Sequence, residues 1–187
     1  MLHTPSASHR ALDRAHPIHS GVSPEREDCL RSGASWNALA AYTLCTHEQT
    51  GRTRPTVLIV EDDPALQKVM REHVARMDVN VLVASHYAAA LAHLVAGTPD
   101  LACVDIGLPT QSGYELCEYI RGPLGLKLMP IMVTSEFGSP EDMAYAEQAG
   151  ANAFLVKPFS MPHLGANIAA LLDGVWPSTA HMFQLGP

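Results

Sequence analysis

The sequence is poor in the features that mark several functional classes. Only four cysteines occur in 187 residues, Cys29, Cys45, Cys103 and Cys117, with no C-x-x-C pair and no shared spacing with histidine. That pattern excludes the usual zinc frameworks, and reduced thiols are the default for such a chain. Cys103, inside the apolar run "DLACVD", reads as a small buried hydrophobe. No apolar run approaches the roughly 20 residues that span a bilayer. The N-terminus "MLHTPSASHR" lacks the apolar core of a secretory signal, so the expected location is cytoplasmic, away from membrane. No G-x-x-x-x-G-K-[ST] loop occurs, so that nucleotide-phosphate cradle is absent. Positive charge is scarce after residue 54: residues 55–187 carry six Lys+Arg against fourteen Asp+Glu, whereas residues 1–54 carry six against five. An acidic surface repels a phosphate backbone, which argues against direct nucleic-acid binding.

What is present divides near Arg54-Pro55. Residues 1–54 are rich in Ser, His, Arg, Pro and Gly and read as a disordered N-terminal extension. A sharper reading is one short docking helix in "SWNALAAYTLCTHEQ", with Trp36, Leu39 and Tyr42 on an apolar side. Residues 55–174 read as one domain and residues 175–187 as a C-terminal tail, whose Trp176 and Phe183 either fray or pack back.

Within the domain, five short apolar runs alternate with helical patterns. The runs are β1 "TVLIV" (56–60), β2 "NVLVA" (80–84), β3 "DLACVD" (100–105), β4 "PIMVTS" (130–135) and β5 "NAFLVK" (152–157). Being almost wholly apolar, they suit strands buried on both faces. The helical patterns are α1 (64–77), α2 (86–97), α3 (113–122), α4 (140–150) and α5 (160–174). Gly97, Gly122 and Gly150 stand where left-handed helix caps are expected. Such alternation implies right-handed crossovers and an α/β, doubly wound (βα)5 parallel sheet, too short for an eight-fold barrel. In that architecture ligands bind beyond the carboxyl ends of the strands.

The strand ends carry a consistent chemistry. β1 runs into Glu61, Asp62 and Asp63; β3 ends at Asp105, β4 at Thr134-Ser135, and β5 at Lys157-Pro158. Clustered oxygen ligands without sulfur or imidazole fit Mg2+. A lysine is a compact point charge for a phosphoryl oxygen, and a threonine hydroxyl can donate one more hydrogen bond. Together they suit phosphoryl transfer, in which positioning and charge neutralisation supply most of the catalysis. Each residue has an ordinary reading as well. Asp63 before Pro64 is best explained as the N-cap of α1. Asp105 alone suits a turn, Thr134 a strand and Lys157 a solvated surface, but four strands ending by chance in these types is improbable.

Residues 55 to about 173 closely resemble the receiver domain of two-component response regulators. The resemblance rests on "VLIVEDDP", "DLACVDIGLPTQSGYEL", "PIMVTSE" and "AGANAFLVKPF", in that order. It implies a chemotaxis-type, flavodoxin-like sheet of order 2-1-3-4-5. Asp105 would be the phosphoacceptor. Mg2+ would be held by Asp62 and Asp105, by the Gly107 backbone carbonyl, and largely through water by Glu61. Lys157 would hold a phosphoryl oxygen, Thr134 would move toward the phosphoryl group, and Phe154 would be the aromatic switch whose ring turns inward. The Lys157-Pro158 bond would be cis. Gly107 and Glu136 occupy positions that tune phosphoryl lifetime in the family. The implied partners are a sensor histidine kinase or histidine phosphotransfer protein, an unidentified downstream protein target, and a second copy in a homodimer through the β4–α4–β5 face.

Three functions therefore compete. The favoured one is a stand-alone receiver, a phosphoprotein that assists its own phosphorylation and dephosphorylation without being an enzyme, or else an intermediate in a phosphorelay. The second is a pseudo-receiver that binds partners without phosphorylation, disfavoured by the complete residue set. The third, a hydrolase with an aspartyl-phosphate intermediate, wants an acid where Gly107 stands.

Overall fold

The computed structural model describes residues 54–174. The expected short helix near Trp36, the remainder of the N-terminal extension, and the tail with Trp176 and Phe183 lie outside the described residues. Within them the elements run β1 Thr56–Val60, α1 Pro64–Val74, β2 Asn80–Ala84, α2 Tyr87–Ala96, β3 Leu101–Asp105, α3 Gly113–Arg121, β4 Ile131–Ser135, α4 Pro140–Gln148, β5 Ala153–Val156 and α5 Met161–Leu172. All strand pairs are parallel and the sheet order is β2-β1-β3-β4-β5, the flavodoxin-like order expected. No helix among the described residues is long and apolar enough to cross a membrane.

Side chains alternate across a strand, and both faces of the central strands are covered. Leu58, Val60, Ala102, Val104 and Ile131 face α2 and α3, where they meet Leu94, Leu116 and Ile120. Val57, Ile59, Leu101, Cys103, Met132 and Leu155 face α1 and α5, where they meet Met70, Val74, Leu164 and Ile168. A smaller cluster of Val133, Ala146, Ala151 and Phe154 lies under α4. Each fully buried aliphatic side chain contributes roughly 1.5–3 kcal/mol, which is why these runs tolerate almost no polar residue. β2 departs from the expected two-sided burial. Asn80 is exposed and Val81 to Val83 are only partly covered, because β2 is an edge strand with one neighbour.

Helix starts follow the sequence signals. Asp63, Ser112, Ser139 and Ser160 cap α1, α3, α4 and α5, and Ser139 forms a reciprocal capping box with Asp142. Helix ends correct two expectations. Gly150 is left-handed (φ 94), but Gly97 is extended (φ 179) and Gly122 has φ −91. After α2 the chain passes straight into the extended approach to β3. After α3 it continues through a turn closed by Leu124 N–H to Tyr119 O and Leu126 N–H to Ile120 O, and the left-handed residue there is Gly125 (φ 66).

One network at the amino end of β4 and β5 was not foreseen. Arg121 lies across Gly150, where a Cβ would collide with its side chain. Its guanidinium donates to Gly150 O (3.0 Å), Leu126 O (2.6 Å) and Asn152 Oδ1 (2.8 Å). Asn152 Oδ1 also accepts from Ile131 N–H at 2.8 Å. Burial pulls this guanidinium down to about 10. Because one oxygen serves two donors, Asn152→Ala strands both; the expected loss is about 1–3 kcal/mol, read as a lower urea midpoint at unchanged m-value.

Candidate functional site

The register of the sheet brings the expected residues to one rim. Val60 is paired with Val104, so Glu61 and Asp105 stand level at the ends of β1 and β3. Asp105 is paired with Thr134 in β4, and Ser135 with Val156, so Lys157 follows one step beyond β5. The ends are tied by Ile106 N–H to Thr134 O (3.0 Å) and Lys157 N–H to Ser135 O (2.7 Å). Lys157-Pro158 is cis, as expected.

Carboxylate oxygens of Glu61, Asp62 and Asp105 all lie within 4.8 Å of one another. Glu61 and Asp105 are buried, while Asp62 is exposed. The Lys157 ammonium touches both oxygens of Glu61, at 3.2 and 2.9 Å, and Asp105 Oδ1 at 3.2 Å. Burial drives the Glu61 carboxyl above the usual range; the hydrogen bond from Lys157 opposes this, while Asp105 adds to it. Burial alone would lower the Lys157 ammonium, but the hydrogen bond to Glu61 and the charges of Asp105 and Glu61 together hold it above its ordinary value. Both shifts describe one crowded site: two buried carboxylates sharing one cation.

Thr134 is buried, and its Oγ1 has no hydrogen-bond partner among the described residues. A buried hydroxyl is ordinarily hydrogen-bonded, and this one stands at the rim, level with Asp105, with its bonding capacity unused. Gly107 N–H donates to Asp105 Oδ1 at 3.3 Å, and a Cβ there would stand 3.5 Å from Asp105 Oδ2. A side chain at this position would start in van der Waals contact with the carboxylate, and glycine leaves that flank without one. Glu136 lines, with Leu66, Lys157, Pro158 and Phe159, a cleft of about 410 Å³ beside the ammonium. Phe154 is buried beside Val133, Ala146 and Ala151. The oxygen-only donor set of Glu61, Asp62 and Asp105 fits a hard divalent cation such as Mg2+.

Two supporting residues escaped the sequence. Gln67 Nε2 donates to Glu61 O (2.8 Å) and Ala84 O (3.1 Å), fastening the ends of β1 and β2. Gly113 packs so closely that a Cβ would collide with the Asp105 backbone carbonyl, and its N–H donates to Ile106 O (3.1 Å). Gly113 lay within the quoted loop motif and so carried a signal; Gln67 carried none.

A match to the response regulator receiver domain model extends over residues 57–169, most of the described chain. The chain belongs to the response regulator receiver domain family. It is 31% identical over 129 residues to the sensory transduction protein BceR of Halalkalibacterium halodurans, covering 69% of this chain and 54% of that protein. It is 32% identical over 114 residues to the transcriptional regulatory protein KdpE of Mycobacterium tuberculosis, covering 61% of this chain and 49% of that one. The chain thus spans about half the length of the curated relatives it matches. Among solved structures it resembles a CheY-like receiver domain protein from Methanospirillum hungatei (28% identity, TM-score 0.59, 65% of this chain and 95% of that one). It also resembles the chemotaxis response regulator CheY4 of Vibrio cholerae (25% identity, TM-score 0.61, 64% and 99%). Receiver domains are signalling modules of two-component systems, for which Mg2+ binding and phosphorylation are typical.

Asp63 stands apart from the cluster it adjoins in sequence. Its Oδ1 accepts from Ala65 N–H (2.7 Å) and Leu66 N–H (3.0 Å) at the start of α1. Bonding to Leu66 and then to Ala65 holds its carboxyl below the usual range. The cap therefore contributes fully above the ordinary aspartate value of about 3.9 and fades as pH falls through the lowered value. Asp63→Ala is expected to lower the thermal midpoint at pH 7 and Asp63→Asn to restore most of it, with the gap between wild type and Asp63→Ala closing in acid.

Proposed function

We propose that residues 55–174 act as a phosphorylatable receiver. Asp105 accepts a phosphoryl group from the phosphohistidine of a sensor histidine kinase or a histidine phosphotransfer protein. The observation that carries this reading is the convergence of Asp105, the Lys157 ammonium 3.2 Å away, and the unpartnered Thr134 hydroxyl at one rim. An Asp105 oxygen forms the new O–P bond as the donor's N–P bond breaks. The imidazole keeps the electron pair and takes a proton from solvent. Lys157 holds one phosphoryl oxygen and Thr134 donates to another. Glu61, Asp62 and Asp105 are the residues to hold Mg2+, with the Gly107 carbonyl as a further ligand; the ion supplies charge neutralisation when bound. Attack of water on phosphorus breaks the O–P bond, restores the Asp105 carboxylate and releases inorganic phosphate. The domain assists both steps on itself and turns over no separate substrate.

The signal is a population shift on the β4–α4–β5 face. A phosphoryl group adds up to about two negative charges and three acceptor oxygens, enough to draw Thr134 toward it. Phe154 packs beside Val133 in β4 and Ala146 in α4, where a shift of Thr134 would alter its surroundings. The same face exposes Phe137 (71%), Tyr145 (64%) and Val156 (38%), which supports it as the surface for a downstream protein or a second copy.

Incubation with Mg2+ and acetyl phosphate is expected to add one phosphoryl group by intact mass, and Asp105→Asn to add none; an unmodified wild type would defeat the proposal. Mg2+ at a hundred times its dissociation constant should stabilise the fold by about 2.7 kcal/mol. Asp62→Ala should lose that gain and Asp63→Ala keep it, in thermal melts with and without the ion.

A further inference from the structure

α2 differs from its neighbours in what it shows to solvent. Tyr87, Ala90 and Leu94 are buried, and Ala89 and Leu91 pack against the same core. The outward positions are Ala88, Ala92, Val95 and Ala96, spaced i, i+4, i+7 and i+8 along one stripe. No Asp, Glu, Lys or Arg stands between Tyr87 and Ala96, the His93 ring is half-buried with Nε2 3.2 Å from Val83 O, and Val95 is 69% exposed. The outward faces of α1, α3 and α4 carry Lys68 and Glu72, Glu118, and Glu141 and Glu147. α5 also lacks Asp, Glu, Lys and Arg, but it shows only Pro162, Ala166 and Ala169 and no large apolar side chain. A helix whose outward stripe is apolar as well as its core side is ordinarily covered.

The chain itself holds a matching segment. Residues 35–45, "SWNALAAYTLC", carry no charge and repeat apolar residues at helical spacing. The described domain begins at Arg54, whose carbonyl accepts from Asn80 Nδ2 at 3.3 Å. Two residues on, Thr56 N–H donates to Asp100 Oδ2 (2.7 Å), and Thr56 O accepts from Asp100 N–H (2.8 Å). Asp100 is three residues beyond Gly97, where α2 ends. The chain therefore enters the domain beside the end of α2 that bears Val95 and Ala96. The eight polar residues between, "THEQTGRT" (46–53), span up to roughly 26–29 Å, against about 15 Å for the ten residues of α2. A tether this short gives an effective concentration of about millimolar, whereas a second copy is present only at the protein's own concentration.

We propose that residues 35–45 cover the outward face of α2, setting Trp36, Leu39 and Tyr42 against Ala88, Ala92 and Val95. The occupant is a segment of the same chain, and the contact stands independently of phosphorylation.

The test uses the full chain with Trp176→Phe, so that Trp36 is the one tryptophan. Trp36 emission is expected to be blue-shifted and its acrylamide quenching several-fold slower than in the same chain with Val95→Glu. The shielding should not change on dilution, and sedimentation should give a monomer. Val95 is exposed, so its substitution leaves the core intact; Ala92→Glu, checked by circular dichroism, must reproduce the effect. Equal quenching with and without Val95→Glu overturns the proposal. So does shielding that disappears on dilution together with a dimer, which would assign the face to a second copy.

Discussion

One ammonium group holds the functional rim together. Glu61 and Asp105 lie almost wholly out of water, and Lys157 is the cation in contact with both. Two buried carboxylates so close would each pay a desolvation cost of several kcal/mol with little in return. Lys157 meets Glu61 across two intervening strands, so the contact depends on the whole order β1-β3-β4-β5 and its register. A slip of one residue in any of these pairings would turn the participating side chains to the other face. The site is for this reason a property of the sheet and not of any one loop.

The central strands were legible because their burial is two-sided. "TVLIV" and "IMVTS" have no solvent face to mark with polar residues, so they stand out as continuous apolar runs, and the structure places them within a residue of the expected bounds. β2 was legible as a strand but not as an edge, since edge status follows from sheet order and not from "NVLVA" itself. The carboxylate cluster was legible because strand ends concentrate chemistry in this architecture. Asp63 separated cleanly from it because a cap is a local event, decided within three residues of Pro64.

What could not be read involves partners far apart in the chain. Gln67 reaches Ala84, and Arg121 reaches Asn152; nothing in their surroundings announces either bond. Helix ends at Gly97 and Gly122 were misread for a related reason. Glycine permits a left-handed cap, but the direction the chain must take next decides whether one forms. The exposed stripe of α2 was equally silent, since "YAAALAHLVA" reads as an ordinary core helix until its outer side is seen.

The amide oxygen of Asn152 has a mechanical meaning. It binds Arg121 at the end of α3 and Ile131 at the first residue of β4, while itself standing one residue ahead of β5. Three elements are thus pinned together at the floor of the sheet, opposite the rim that carries Thr134 and Lys157. The exit of α3 and the entrances of β4 and β5 are bound at one spine, and the sequence carries it in a single amide.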